Sequence, residues 1–224
     1  LFEIGALRVK PYQPYYRSYT LEALGFNDQA LQELNEAIAI DPFYADAHDL
    51  MGKIYAQQKS YRKAFEHFRL SVTAAPGNKD MRYNLALSYF DLGEYAWAAK
   101  EYDRITHVWP SDPKGYFLLT KSYIFDGEYD KAIKSLERAQ AIAPGSSRDF
   151  LELGDMLFER KAYTQAKQAY LMVAKTGKRS EAAHKKLGFV FLALEDKLQA
   201  KKEFESVLLI NADDEQVQNA LRDL

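Results

Sequence analysis

Hydrophobic and small positions recur along the chain at one fixed interval. Ala30, Ala64, Ala98, Ala132, Ala166 and Ala200 are each 34 residues apart. Twelve positions before each stands a mostly small residue: Ser18, Gly52, Ala86, Thr120, Gly154 and Gly188. Large apolar residues keep the same phase at Leu21, Tyr55, Tyr89, Tyr123, Leu157 and Phe191. A second large series is Leu34, Phe68, Tyr102, Leu136, Tyr170 and Phe204. Within one register the spacing is helical twice over. Met51, Gly52 and Tyr55 share one face, and Ala64, Phe68 and Ser71 share another. A polar break separates the two runs, with Gly25, Gly93 or Gly127 in three registers, where positive φ suits the end of a first helix. Pro42, Pro76, Pro110 and Pro144 close the second run, because proline cannot donate the i→i−4 bond. Each register therefore predicts helix, tight turn, helix and linker. No period-two stretch competes, so no sheet is expected.

Six registers cover 11–44, 45–78, 79–112, 113–146, 147–180 and 181–214 without insertion. Small residues inside the first helix and at the start of the second let two backbones approach closely. Glycine there costs about 1 kcal/mol of helix propensity relative to alanine, which closer packing can offset. A single helix pair cannot bury its apolar face, so the pairs are expected to stack into a solenoid.

These residues resemble the tetratricopeptide repeat family. Leu50, Met51, Gly52, Tyr55, Tyr61, Ala64, Phe68 and Pro76 carry the likeness in the second register. Leu119, Tyr123, Gly127, Tyr129, Ala132, Leu136, Ala139 and Pro144 repeat it in the fourth. The resemblance implies an all-α, right-handed superhelical solenoid of tandem helix-turn-helix repeats. It spans 204 of the 224 residues. There are departures. Lys178 and Ala212 replace the usual proline, which predicts more continuous or more mobile linkers, and Arg17 and Ser18 stand where bulkier residues are usual. Pro11 and Pro42 are 31 apart, which shortens the first helix of that register by about three residues. Residues 1–10 read as the last helix of a preceding partial repeat. Residues 215–224 read as a capping helix or the start of another repeat. The chain lacks an initiator Met and a basic leader, so it reads as a fragment or processed product.

Composition narrows function mainly by exclusion. With 30 Lys+Arg against 32 Asp+Glu, the net charge is −2, which argues against a dedicated nucleic-acid binder. The chain has no cysteine, so a disulfide framework, a cysteine zinc site and a thiol nucleophile are all excluded. No apolar run approaches the roughly 18 residues of a membrane span. A soluble chain is expected, cytoplasmic or periplasmic. His48, His67, His107 and His184 form no His-x-x-x-His pair, and no phosphate-binding glycine loop or nucleophile elbow occurs. Neither a catalytic site, a metal site nor a cofactor is expected. Charge is uneven along the array: the first register carries one basic and five acidic residues, the fifth seven basic and four acidic. Lys175, Lys178, Arg179, Lys185 and Lys186 cluster near the fifth linker and read chiefly as a solvated face.

The family resemblance implies that first helices line a concave groove that takes the partner. Carried onto this sequence, the groove positions are Tyr83, Asn84, Leu87, Phe90, Lys114, Phe117, Lys121, Ile124, Leu151, Asp155 and Phe158. Asp49 and Lys53 precede them in the second register. A clamp for a peptide C-terminal carboxylate is disfavoured, since Asp49 would repel the anion. The apolar and aromatic stripe instead suits a protein or peptide partner with an apolar or amphipathic segment. The function expected is a non-catalytic interaction scaffold or adaptor. The alternatives are the substrate-recruiting part of a longer enzyme or secretion or envelope-assembly protein, and a self-assembling structural module. Tyr12, Tyr15, Tyr16 and Tyr19 are expected to stack on an upstream repeat in preference to a partner.

Overall fold

A computed structural model describes residues 10–175 and 180–224. Most of the helix expected over 1–10 lies outside these residues, as do Lys178 and Arg179. The described residues form thirteen helices and no strand. The chain divides into two compact units, Leu1–Glu101 and Tyr102–Leu224. The first holds α1 (Tyr12–Ala23), α2 (Asn27–Ile40), α3 (Ala45–Gln57), α4 (Tyr61–Ala74), α5 (Lys79–Asp91) and the beginning of α6 (Tyr95–Val108). The second holds the rest of α6, then α7 (Pro113–Asp126), α8 (Tyr129–Ile142), α9 (Ser147–Glu159), α10 (Tyr163–Ala174), α11 (Ser180–Ala193), α12 (Lys197–Leu208) and α13 (Glu215–Arg222). Second helices begin at 27, 61, 95, 129, 163 and 197, so the repeat of the sequence is the repeat of the structure.

Helix ends follow local chemistry. Pro42, Pro76, Pro110 and Pro144 each stand two residues beyond the last helical residue. Where Ala212 replaces proline, the helix does not run on. α12 stops at Leu208, and the Ile210 and Asn211 amides both donate to the Val207 carbonyl, which tightens the last turn. The Asn78, Asp112, Asp196 and Asp214 side chains accept from amides of the turn that follows each, capping α5, α7, α12 and α13.

Inside each hairpin one turn residue is left-handed, in every repeat. Gly25, Gly93 and Gly127 have φ of 83°, 79° and 81°. The same position in the other three is Lys59, Lys161 and Glu195, at 58°, 61° and 61°. The turn geometry is thus common to all six hairpins, although glycine supplies it in only three.

Within the first unit α1 packs on α2, α3 on α4, and consecutive hairpins join through α2–α3 and α4–α5. Within the second unit α7 pairs with α8, α9 with α10 and α11 with α12, and α10 packs on α11. The glycines among the small positions of the first helices lie against rings of the second. A methyl group on Gly52 would come within 2.5 Å of the Phe68 ring, and one on Gly154 within 2.5 Å of Tyr170. Gly188 stands in the same relation to Phe204, which is wholly buried. α13 closes the second unit. Val217 is buried beside Ala200, Phe204 and Val207, and Lys185 Nζ donates to both oxygens of Asp214, at 3.0 and 2.8 Å. The Lys185 bond holds the Asp214 carboxyl below its ordinary value.

Two of the four histidines are structural partners of each other. His48 Nε2 lies 3.1 Å from the Pro42 carbonyl oxygen, so that nitrogen carries the proton. His48 Nδ1 is then the acceptor for His67 Nδ1, at 3.1 Å. Burial first, and the neighbouring His48 second, lower the His67 pKa to about 4. Between its ordinary value of about 6.5 and about 4, the unfolded chain binds a proton that the native chain refuses. Stability is therefore fully present above the upper limit and falls as pH drops through this window. Urea midpoints taken near pH 7 and near pH 5 should differ, by on the order of 1 kcal/mol after solvent screening. His67→Gln keeps a donor for His48 and should flatten that dependence. An equal acid loss in the variant would show that other groups cause it.

Candidate interaction surface

In the first unit, Asp49 of α3 is held from two sides. Asn84 of α5 donates to its Oδ1 at 2.7 Å, and Lys53 pairs with its Oδ2 at 2.6 Å. This carboxylate is therefore neutralised and tied between adjacent repeats. Beside it opens a cleft of about 230 Å³, lined by Lys53, Ala56, Asn84, Leu87 and Asp91 among others. Leu87 is 47% exposed, a large apolar side chain at the cleft edge. Phe90 is half-buried, with its ring 5.0 Å from Tyr95, and Tyr83 is buried. Asn84 and Leu87 thus meet in one cleft, while Tyr83 and Phe90 serve chiefly as packing.

In the second unit, α7 and α9 form a cleft of about 430 Å³. Lys114, Phe117 and Lys121 come from α7, and Asp149, Glu152 and Leu153 face them from α9. The Phe117 ring rests 5.4 Å from the buried Phe150, which fixes it as a floor. Three of the sequence candidates therefore converge here. Ile124 and Leu151 do not join them, because both lie in the core cluster and are 0% and 7% exposed. Phe158 packs on Tyr163, with centroids 5.2 Å apart. Asp155 is a tie between three helices. Tyr170 Oη donates to its Oδ1 at 2.6 Å, and Lys186 Nζ donates to the same oxygen at 2.6 Å. Burial first and this bond second raise the Tyr170 pKa, so the phenol stays protonated and remains a donor.

Asp149 and Glu152 line this cleft although the groove phase of the sequence names Leu151, Asp155 and Phe158 on α9 instead. A signal for them exists in the sequence. Asp149 and Glu152 are charged at helical spacing between the apolar Phe150, Leu151 and Leu153, and charge in such a run marks the solvent side.

Among the described residues no group of three or more His, Cys, Asp or Glu side chains is placed to hold a metal ion. Among the described helices none is long and apolar enough to cross a membrane. His184, in the same phase as His48, bonds Glu203 at 2.6 Å, and His107 sits 3.5 Å from Asp103.

Comparison with known proteins agrees with the hairpin geometry. A family profile described as TPR repeat matches residues 21–66, and one described as tetratricopeptide repeat matches 83–147 and again 121–182. The chain belongs to the tetratricopeptide repeat family. Curated relatives include the Hsp70-Hsp90 organizing protein 3 of Arabidopsis thaliana, 25% identical over 59% of this chain and 24% of that protein. Another is the anaphase-promoting complex subunit 3 of Schizosaccharomyces pombe, 27% identical over 66% of this chain and 28% of that protein. The chain spans between 10% and 28% of the length of the curated relatives it matches. Among solved structures, the C-terminal part of a TPR repeat-containing protein from Cytophaga hutchinsonii aligns with a TM-score of 0.72 at 16% identity. It covers 95% of this chain and 88% of that one, and at such identity it speaks for the tetratricopeptide fold alone.

Proposed function

We propose that this chain is a non-catalytic protein-interaction scaffold whose first-helix surfaces hold an apolar or amphipathic segment of a partner protein. The observation that carries this reading is the α7–α9 cleft. An aromatic floor, Phe117, lies between two cations of α7 and two carboxylates of α9. Such a site offers area to an apolar anchor and charge of either sign to fix its register. Leu87 adds a second apolar anchor on the first unit. The names of the Hsp70-Hsp90 organizing and anaphase-promoting relatives place those proteins in multi-protein assemblies, which supports the scaffold reading here. The same repeats would serve as the recruiting part of a longer protein, and the short share of each relative that is matched accommodates this.

The test is a double variant, Leu87→Glu with Phe117→Glu. Both side chains reach solvent, so helical circular dichroism should be retained. Capture of the native partner from extract should fall at least tenfold, as expected when two anchors of about 1–2 kcal/mol are lost. Undiminished capture by the folded variant contradicts the proposal. Light scattering on the purified protein separates the self-assembly alternative. A concentration-independent monomer counts against it, and recovery of only this chain in the capture experiment favours it.

A further inference from the structure

A third cleft, of about 500 Å³, lies between the second half of α6, α7 and α8. It is walled largely by second helices and shares no residue with the two surfaces above. Tyr116 and Tyr123 of α7 line it, and Lys131, Lys134 and Arg138 of α8 form one edge. Their spacing of three and four residues puts the three cations in a single row on that helix. All three are exposed. Lys131 leans on Glu128 at 3.1 Å and over the Tyr123 ring at 5.8 Å. Lys134 and Arg138 have no carboxylate partner among the described residues. Asp103 is the one carboxylate that lines this cleft.

The row is peculiar to this repeat. The matching positions hold Gln29, Gln32 and Glu36 in the first register, and Lys63, Glu66 and Leu70 in the second. They hold Trp97, Lys100 and Arg104 in the third, Gln165, Gln168 and Met172 in the fifth, and Gln199, Lys202 and Ser206 in the sixth. Only the fourth carries three cations, so stacking of repeats does not require them. Exposed cations set beside a concave aromatic surface raise the local concentration of an anionic partner and speed its encounter.

We infer that the α6–α7–α8 cleft is a second docking site, for an acidic peptide segment carrying an aromatic side chain. The carboxylates meet Lys131, Lys134 and Arg138, and the aromatic group packs on Tyr116 and Tyr123. Burial, and then the charge of Asp103, raise the Tyr123 pKa, so its hydroxyl stays available as a donor to a carboxylate. A nucleic-acid strand also answers to cations and aromatic rings. The net charge of −2 and the carboxylate of Asp103 on the cleft wall favour a peptide with spaced charges over a continuous phosphate backbone.

The probe is a random-peptide phage library selected on the purified protein, followed by fluorescence anisotropy of the enriched peptides. Enriched sequences should be rich in Asp and Glu and contain an aromatic residue. Their affinity should weaken with salt, and should fall about tenfold or more in Lys131→Gln/Lys134→Gln/Arg138→Gln. It should be unchanged in Leu87→Glu/Phe117→Glu, which separates this cleft from the first-helix surfaces. The three exposed substitutions should leave the thermal midpoint in place. No enrichment, enrichment without acidic bias, or equal affinity for the triple variant overturns the inference. Binding of an oligothymidylate probe that is lost in the triple variant overturns it in favour of nucleic acid.

Discussion

Gly188→Ala is expected to lower the thermal midpoint by several degrees, and Phe204→Leu in the same chain to restore much of the loss. The added methyl group would enter the space of the Phe204 ring, which is fully buried and has nowhere to retreat. Overpacking of this kind costs about 1–3 kcal/mol, and about 2–4 °C of midpoint accompanies each kcal/mol in a chain of this size. Alone, Phe204→Leu leaves a cavity and destabilises too. Together the two changes approach pairings that the array already contains elsewhere: Ser18 is followed sixteen positions later by Leu34, and Thr120 by Leu136. Glycine at this position is followed by Phe68, Tyr170 and Phe204. Glycine is thus paired with a ring three times and serine or threonine with leucine twice, while Ala86, followed by Tyr102, is the one register that departs from this volume pattern. A double-mutant cycle should give a favourable coupling of about 1 kcal/mol or more. Strictly additive losses would mean that the two helices adjust independently and the constraint is not real.

The second large effect has the opposite sign. Replacing Lys59, Lys161 and Glu195 by glycine should raise stability by about 2 kcal/mol in sum. All three are exposed and hold left-handed backbone that penalises a Cβ. Each relief of about 1–2 kcal/mol is partly offset by the greater freedom of glycine in the unfolded chain. Gly127→Ala probes the same geometry in reverse and should destabilise by about 1 kcal/mol. Urea midpoints of the triple variant and of Gly127→Ala check both directions. A triple variant no more stable than the parent would show that local side-chain contacts already compensate the strain.

These two cases show how far the residues alone carry the fold. The 34-residue interval of the sequence recurs in the starts of the second helices, because every repeat must solve the same packing problem. Proline spacing marks four helix ends, each two residues before the proline. The left-handed turns at Lys59, Lys161 and Glu195 were not legible, since nothing about lysine or glutamate marks positive φ. They follow only from comparing each register with its glycine-bearing neighbours. The surface was read less well than the core. Tyr83, Ile124 and Leu151 occupy groove phases yet are buried, because a family phase gives the average direction of a side chain and not how deeply the next helix covers it. Asp155 looks like a groove contact in sequence but is claimed by Tyr170 and Lys186. Charges unique to one register, such as Lys131, Lys134 and Arg138, were visible all along. They needed the cleft beside them to acquire meaning.

Photo-cross-linking from defined positions asks whether partners are held by the first helices. A benzophenone amino acid would replace Leu87, Phe117 or Lys121 on first helices, with Arg62 and Gln168, exposed on second helices, as controls. Adducts mapped by mass spectrometry should join apolar or amphipathic partner segments to the first-helix positions. Adducts confined to Arg62 and Gln168, with none from Leu87, Phe117 or Lys121, would contradict a scaffold that binds through its first helices.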